Sequence, residues 1–189
     1  MAGDGQAGFA DGDGRAARFK SPFAVVVGPD GDLFVADAGN HAIRRITPAG
    51  RVSTLVGGVV GNSSGGFGSA KFAVPNDLVY DGKDGLYVVD SINHNVRLID
   101  LKLAVVSTVA GSGSAGNTDD KGVKAKFNSP TGIARGTNGD LFVTDNQNHA
   151  IRRIDPAGNV TKLVGGTEGF VDGLAGVGRS LYEAITARD

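Results

Sequence analysis

The chain repeats itself. Residues 19–56, 72–109 and 127–164 are three modules of 38 residues that align without an insertion or a deletion, and the first and third are identical at 23 of the 38 positions. Apolar and turn anchors recur in register: Pro22, Pro75 and Pro130; Leu33, Leu86 and Leu141; Ile46, Ile99 and Ile154. Self-similarity at a fixed period belongs to architectures in which each unit has a face that only a neighbouring unit buries. The fold must therefore consist of three copies of one unit and the segments between them.

Turn chemistry divides each module into four. In the first, the apolar run 24–27 ends at Gly28-Pro29-Asp30-Gly31, the run 33–36 at Asp37-Ala38-Gly39-Asn40, the run 42–46 at Pro48-Ala49-Gly50, and the run 52–56 closes the module. Runs of four or five residues between such turns read as a meander of antiparallel strands, whereas a helix needs about ten or more at a 3.6-residue period. Glycine, 31 of 189 residues, is more than twice its usual share of about 7% and suits the many turns. The runs Leu33-Phe34-Val35, Leu86-Tyr87-Val88-Val89 and Leu141-Phe142-Val143 do not alternate with polar residues, so both faces of that strand require burial. Sheets stacked face to face around an axis provide it, which is a β-propeller; a β-sandwich or stacked solenoid would need less regular repetition. The expected fold is all-β: three four-stranded antiparallel blades at 19–56, 72–109 and 127–164. Glycine-rich linkers separate them at 57–71 and 110–126; a linker at 1–18 precedes them and a linker-like tail at 165–189 follows, with a short helical stretch over 181–187 compatible with the sequence.

Polar residues recur as well: Asp37, Asn40 and His41; Asp90, Asn93 and His94; Asp145, Asn148 and His149. Each aspartate closes the second strand, where its carboxylate is expected to accept N–H bonds of the tight turn and to pair with Arg44, Arg97 or Arg152 across the hairpin. The functional reading of those arginines, joined by Arg45 and Arg153, is a basic ring on one rim for phosphate or acidic peptides; Leu98 interrupts it in the second module. The three histidines occupy equivalent positions on separate modules and are expected to pack beside their own strands, since a metal site needs three or four converging ligands. Asp11-Gly12-Asp13-Gly14 begins like a calcium loop but lacks the distant glutamate.

No cofactor or metal is assigned. Cysteine is absent, and neither a phosphate-binding Gly-Lys-Ser/Thr nor a Gly-x-Ser-x-Gly elbow occurs. Catalysis needs one site with different residues in different roles, whereas every notable polar position here recurs in all modules and so answers a need of each. The net charge of −1 supplies no field toward nucleic acid. No apolar run reaches the roughly 18 residues of a membrane-crossing helix, so a water-soluble chain is expected; the compartment is open.

Asp37, Asn40-His41 and Ile43-Arg44, with Asp90, Asn93-His94 and Val96-Arg97 and with Asp145, Asn148-His149 and Ile151-Arg152, resemble the NHL repeat, named for its Asn-His-Leu run. Ala42, Asn95 and Ala150 stand where that family often has Leu or Arg. The resemblance covers roughly residues 1–166 and implies the family's fold, usually a six-bladed propeller. The run Gly8-Phe9-Ala10-Asp11-Gly12, repeated as Gly169-Phe170-Val171-Asp172-Gly173, is similar to the long-linker branch often joined to thioredoxin-like or receptor-like domains.

The expected function is a non-catalytic interaction or scaffold module that binds a partner through rim loops. The alternative is a fragment of an NHL-like hydrolase or lyase, although the pore-lining ligand sets of such enzymes are not matched here; a third reading is RNA binding through the rim arginines. Propellers close with about four to eight blades, so three leave two open flanks. The expected partner is a second copy completing a six-bladed ring, or the missing blades of a longer parent chain. In the first case the linker at 1–18 of one copy and the tail of the other compete for one groove.

Overall fold

In the computed structural model, which describes residues 2–168, three antiparallel sheets follow one another along the chain. The first contains β1 (Gly12–Asp13), β2 (Pro22–Val27), β3 (Leu33–Asp37), β4 (Ala42–Ile46) and β5 (Arg51–Gly57). The second contains β6 (Gly65–Gly66), β7 (Pro75–Tyr80), β8 (Gly85–Asp90), β9 (Asn95–Asp100) and β10 (Val105–Ala110). The third contains β11 (Asp120–Lys121), β12 (Pro130–Arg135), β13 (Leu141–Asp145), β14 (Ala150–Ile154) and β15 (Asn159–Gly165). The expected helical stretch at 181–187 and the second Gly-Phe-x-Asp-Gly run lie outside the described residues.

The blades are five-stranded rather than four-stranded, with edge-to-edge order β1-β5-β4-β3-β2 repeated in each. The extra strand comes from the linker, which runs down the outer edge of the blade it precedes. Gly12 and Asp13 pair with Val52 and Arg51, Gly65 and Gly66 with Val106 and Val105, and Asp120 and Lys121 with Val160 and Asn159. A two-residue strand in a glycine-rich segment carries no apolar period, so nothing in the sequence marks it.

The first strands β2, β7 and β12 stand side by side on the axis side of the stack. Between the first and second sheets, Phe34, Ala36, Ile43 and Val56 meet Leu78, Leu86, Val88 and Ile99, with Phe72, the first residue of the second module, closing the layer. Between the second and third, Val96 and Tyr87 meet Leu141, Val143 and Ile154, with Phe127 in the place of Phe72. In β8, Leu86 and Val88 thus face one neighbour and Tyr87 the other, which is why the run shows no polar alternation.

Candidate functional site

The invariant polar residues of each blade converge on one point, where the end of its second strand, its third strand and the incoming linker meet. Arg44, Arg97 and Arg152 are 0% exposed and are the largest fully buried side chains. Arg44 Nη1 donates to Asp37 Oδ2 at 2.8 Å and to the Arg18 carbonyl at 3.0 Å; its Nη2 donates to the Ala10 carbonyl at 2.8 Å and to Asp11 Oδ1 at 2.7 Å. Arg152 repeats the set with Asp145, the Lys126 and Thr118 carbonyls and Asp119. The guanidinium faces lie over Phe19 and Phe9 in the first blade and over Phe72 and Phe127 in the others, 4.9–5.3 Å from the ring centroids. A planar cation with a rigid fork of donors fits such a pocket; an ammonium does not.

The aspartates pair with these arginines across the hairpin as expected, at 2.8, 3.2 and 2.8 Å, but not with the turn. Their second oxygen does not cap the adjacent turn but accepts the amide of the chain about to enter the first strand: Lys20 N–H on Asp37 at 2.8 Å, Ala73 on Asp90 at 2.7 Å and Asn128 on Asp145 at 2.7 Å. Asn40, Asn93 and Asn148 each donate to that aspartate and also to the linker carbonyl of Gly8, Gly61 or Gly116. Aspartate, asparagine and arginine are thus one knot that ties the linker down.

The second blade departs from the pattern. Asp11 and Asp119 give way to Ser64, whose hydroxyl accepts from Arg97 Nη2 at 3.1 Å, and the Arg97–Asp90 pair opens to 3.2 Å. Burial pushes Asp90 up to about 6, against bonds from Asn93 and the Ala73 amide and the nearby charge of Arg97. Burial lowers Arg97 as well, as removal of both ions from water requires.

The rim ring of arginines does not form, because Arg44, Arg97 and Arg152 have no accessible surface. Arg45 and Arg153 reach the surface but bind Asp32 at 2.5 Å and Asp140 at 2.6 Å across the hairpin, and the Arg153 guanidinium holds Asp140 below the usual carboxylate range. In the second blade both members change together, to Leu98 and Gly85. Asp11, the front of the candidate calcium loop, is committed to Arg44 and to the Thr54 hydroxyl. Among the described residues no three His, Asp or Glu gather as a metal cluster.

The histidines were expected to pack beside their own strands; His41 and His94 instead join blades. His41, His94 and His149 are left-handed, at φ 54°, 51° and 52°. His41 Nδ1 accepts the Val74 amide of the next blade at 3.1 Å, and His94 Nδ1 accepts the Ser129 amide at 3.0 Å. Gly57, Gly111 and Gly165 close the opposite side of each turn at positive φ, where a Cβ would strike the histidine carbonyl oxygen.

Some surface positions differ between blades. The turn after β8 and the linker share a rim, where Asn93 donates to the Gly61 carbonyl; Ile92 directly precedes the one residue, and Val59 and Val60 directly precede the other. These three are 57%, 58% and 59% exposed. The equivalent residues are Gly39, Gln6 and Ala7 in the first blade and Gln147, Ser114 and Ala115 in the third.

Comparison with known proteins places this geometry. A sequence profile of the teneurin NHL domain matches residues 6–170. NHL repeat-containing protein 2 of Homo sapiens is 33% identical over 162 residues, 79% of this chain and 21% of that protein. The chain therefore spans about a fifth of that relative's length. An auxiliary nutrient binding protein of Bacteroides thetaiotaomicron superposes with a TM-score of 0.62 at 21% identity, over 78% of this chain and 38% of the other. A gluconolactonase of Xanthomonas campestris superposes with a TM-score of 0.58 at 13% identity, over 76% and 47%. At these identities the two structural likenesses establish the propeller fold alone.

Proposed function

The chain belongs to the teneurin NHL-domain family of NHL-repeat proteins, and from that premise we propose that it is a non-catalytic interaction module whose partner docks on the rim carrying Val59, Val60 and Ile92. The observation that carries this reading is the asymmetry of that rim. Residues common to all blades are consumed in holding each blade together, so features confined to one blade are where selection for a partner would leave its mark. Single exposed apolar residues are ordinary; three on two segments joined by the Asn93–Gly61 bond, polar or small in both sister blades, suit an apolar anchor of a protein partner.

The competing reading is a fragment of a propeller hydrolase or lyase. Two measurements separate them. The purified chain, supplied in turn with calcium, magnesium and zinc, is expected to hydrolyse δ-lactones no faster than buffer. A photo-crosslinking residue at position 92 is expected to form discrete adducts in a lysate that the same residue at position 147 does not. Chelator-sensitive lactone turnover, or equal labelling at the two positions, would overturn the proposal.

A further inference from the structure

The three knots differ in charge. Arg44 pairs with two carboxylates, Asp37 at 2.8 Å and Asp11 at 2.7 Å, and Arg152 likewise with Asp145 at 2.8 Å and Asp119 at 2.6 Å. Among the described residues Arg97 pairs with one, Asp90 at 3.2 Å. The second carboxylate of the sister blades lies 33 residues before the arginine, a position held by Ser64 in the second blade. The Ser64 hydroxyl stands 3.1 Å from Arg97 Nη2, in the place of Asp11 and Asp119, and all three residues are exposed. Burial holds Arg97 below its ordinary value, an effect that a negative charge on Nη2 opposes.

A second donor flanks the same position. Asp11 also takes the Thr54 hydroxyl at 3.0 Å, and Asp119 the Lys162 amide at 3.0 Å, each 43 residues further along the chain. Ser107 is the equivalent residue of the second blade, exposed and with a hydroxyl like that of Thr54. An anion with several oxygens suits two such donors better than a neutral hydroxyl. The neighbouring Ser63 is not equivalent. Its hydroxyl donates to the Ser69 carbonyl at 2.8 Å, and Arg97 Nη2 meets its carbonyl, at 2.9 Å, rather than its side chain.

We propose that Ser64 is a phosphorylation site, and that its phosphate completes the second knot by binding Arg97 Nη2 and Ser107 where the sister blades use an aspartate. The modifying partner is a serine kinase that uses a nucleoside triphosphate. The bond from the γ-phosphorus to the bridging oxygen of the departing nucleoside diphosphate breaks, the bond from phosphorus to Ser64 Oγ forms, and the hydroxyl proton passes to the base of the kinase. The phosphate brings a charge of about −1.5 to −2 and three strong acceptor oxygens, which match the donor fork of a guanidinium. The segment is open to such an enzyme. Asn62, Ser63 and Ser64 are exposed, and Gly61, Gly65 and Gly66 flank them, Gly65 at φ 126°, so drawing the serine outward uncovers little apolar surface.

Two measurements on the full chain test this. Phosphopeptide mass spectrometry of the chain recovered from its native cells, with phosphatases inhibited, is expected to place a phosphate on Ser64 and none on Ser63. Phosphoserine installed at position 64 during synthesis is expected to raise the urea midpoint by about 0.5 M, with Ser64→Asp moving it in the same direction by less. Phosphoserine at Ser114, an exposed serine of the third linker without an arginine among its partners, is expected to leave the midpoint unchanged. Phosphorus NMR should find the second ionisation of the phosphate at position 64 below its ordinary value of about 6, because the guanidinium favours the dianion. Native chain without phosphate on Ser64, a midpoint that falls or moves no more than with position 114, or an ordinary phosphate titration overturns the proposal. Lactone turnover and crosslinking at position 92 bear on the rim alone, so failure of either reading is told apart from failure of the other.

Discussion

A buried guanidinium is an unusual centre for a small repeat unit, and its worth lies in the cost of disturbing it. Arg152 and Asp145 are both fully buried and 2.8 Å apart, so Asp145→Ala strands a cation and is expected to cost about 3–5 kcal/mol. Adding Arg152→Met should recover part of that loss, and urea denaturation of the single and double variants measures it. The second blade adds a pH response. Because the folded pKa of Asp90 is raised from 3.8 to about 6, the folded state holds a proton between those values that the unfolded chain has released. This contribution is fully present below about pH 4 and is lost as pH rises through 6. Melting profiles are expected to show that loss in the wild type, and Asp90→Asn should flatten it. Val74, β-branched yet at φ 59°, is strained; Val74→Gly is expected to raise stability by about 1 kcal/mol, read as a shift in the urea midpoint.

At the scale of elements, the linkers are parts of the blades. Each supplies an edge strand, carbonyl acceptors for arginine and asparagine and, in two of the three, a second carboxylate, and leads into the phenylalanine under the guanidinium. In the third linker, Asp119 takes Arg152 Nη2 at 2.6 Å and the Lys162 amide at 3.0 Å. Asp119→Ala should therefore destabilise by about 1–2 kcal/mol, whereas Ser64→Ala, removing only a hydroxyl, should stay within about 0.5 kcal/mol. Denaturation midpoints of the two variants decide whether the linker carboxylate has that role. The hairpin pairs Arg45–Asp32 and Arg153–Asp140 act likewise as units, since the second blade exchanges both partners at once.

At the scale of the whole molecule, among the described residues only the second blade has another blade on each face. Amide exchange is expected to be slowest in β8 and β9 and faster in β2, whose Val25 and Val27 face solvent. Exchange measured by mass spectrometry checks this, and uniform protection would contradict it. The repeat made this layout readable in advance: three blades, their four main strands and the two-faced burial of the second strand follow from anchors such as Leu33, Leu86 and Leu141. The fifth strand was not readable, because Gly65 and Gly66 have no side chains to show a period.

What the sequence alone determined is the unit and its faces, since apolar spacing dictates which side of a strand seeks burial and identical spacing dictates identical units. What only the tertiary structure decided is where the polar groups go. His41 finds Val74 33 residues away, Asp37 finds Lys20 at 17, and Arg44 finds Asp11 at 33. Hydrogen-bond partners are set by the meeting of separate segments in space, and no local pattern of residues encodes that meeting. So arginines expected to pair with the neighbouring aspartates do so, but fully buried and tied to the linker as well, and two histidines that read as turn residues link blades.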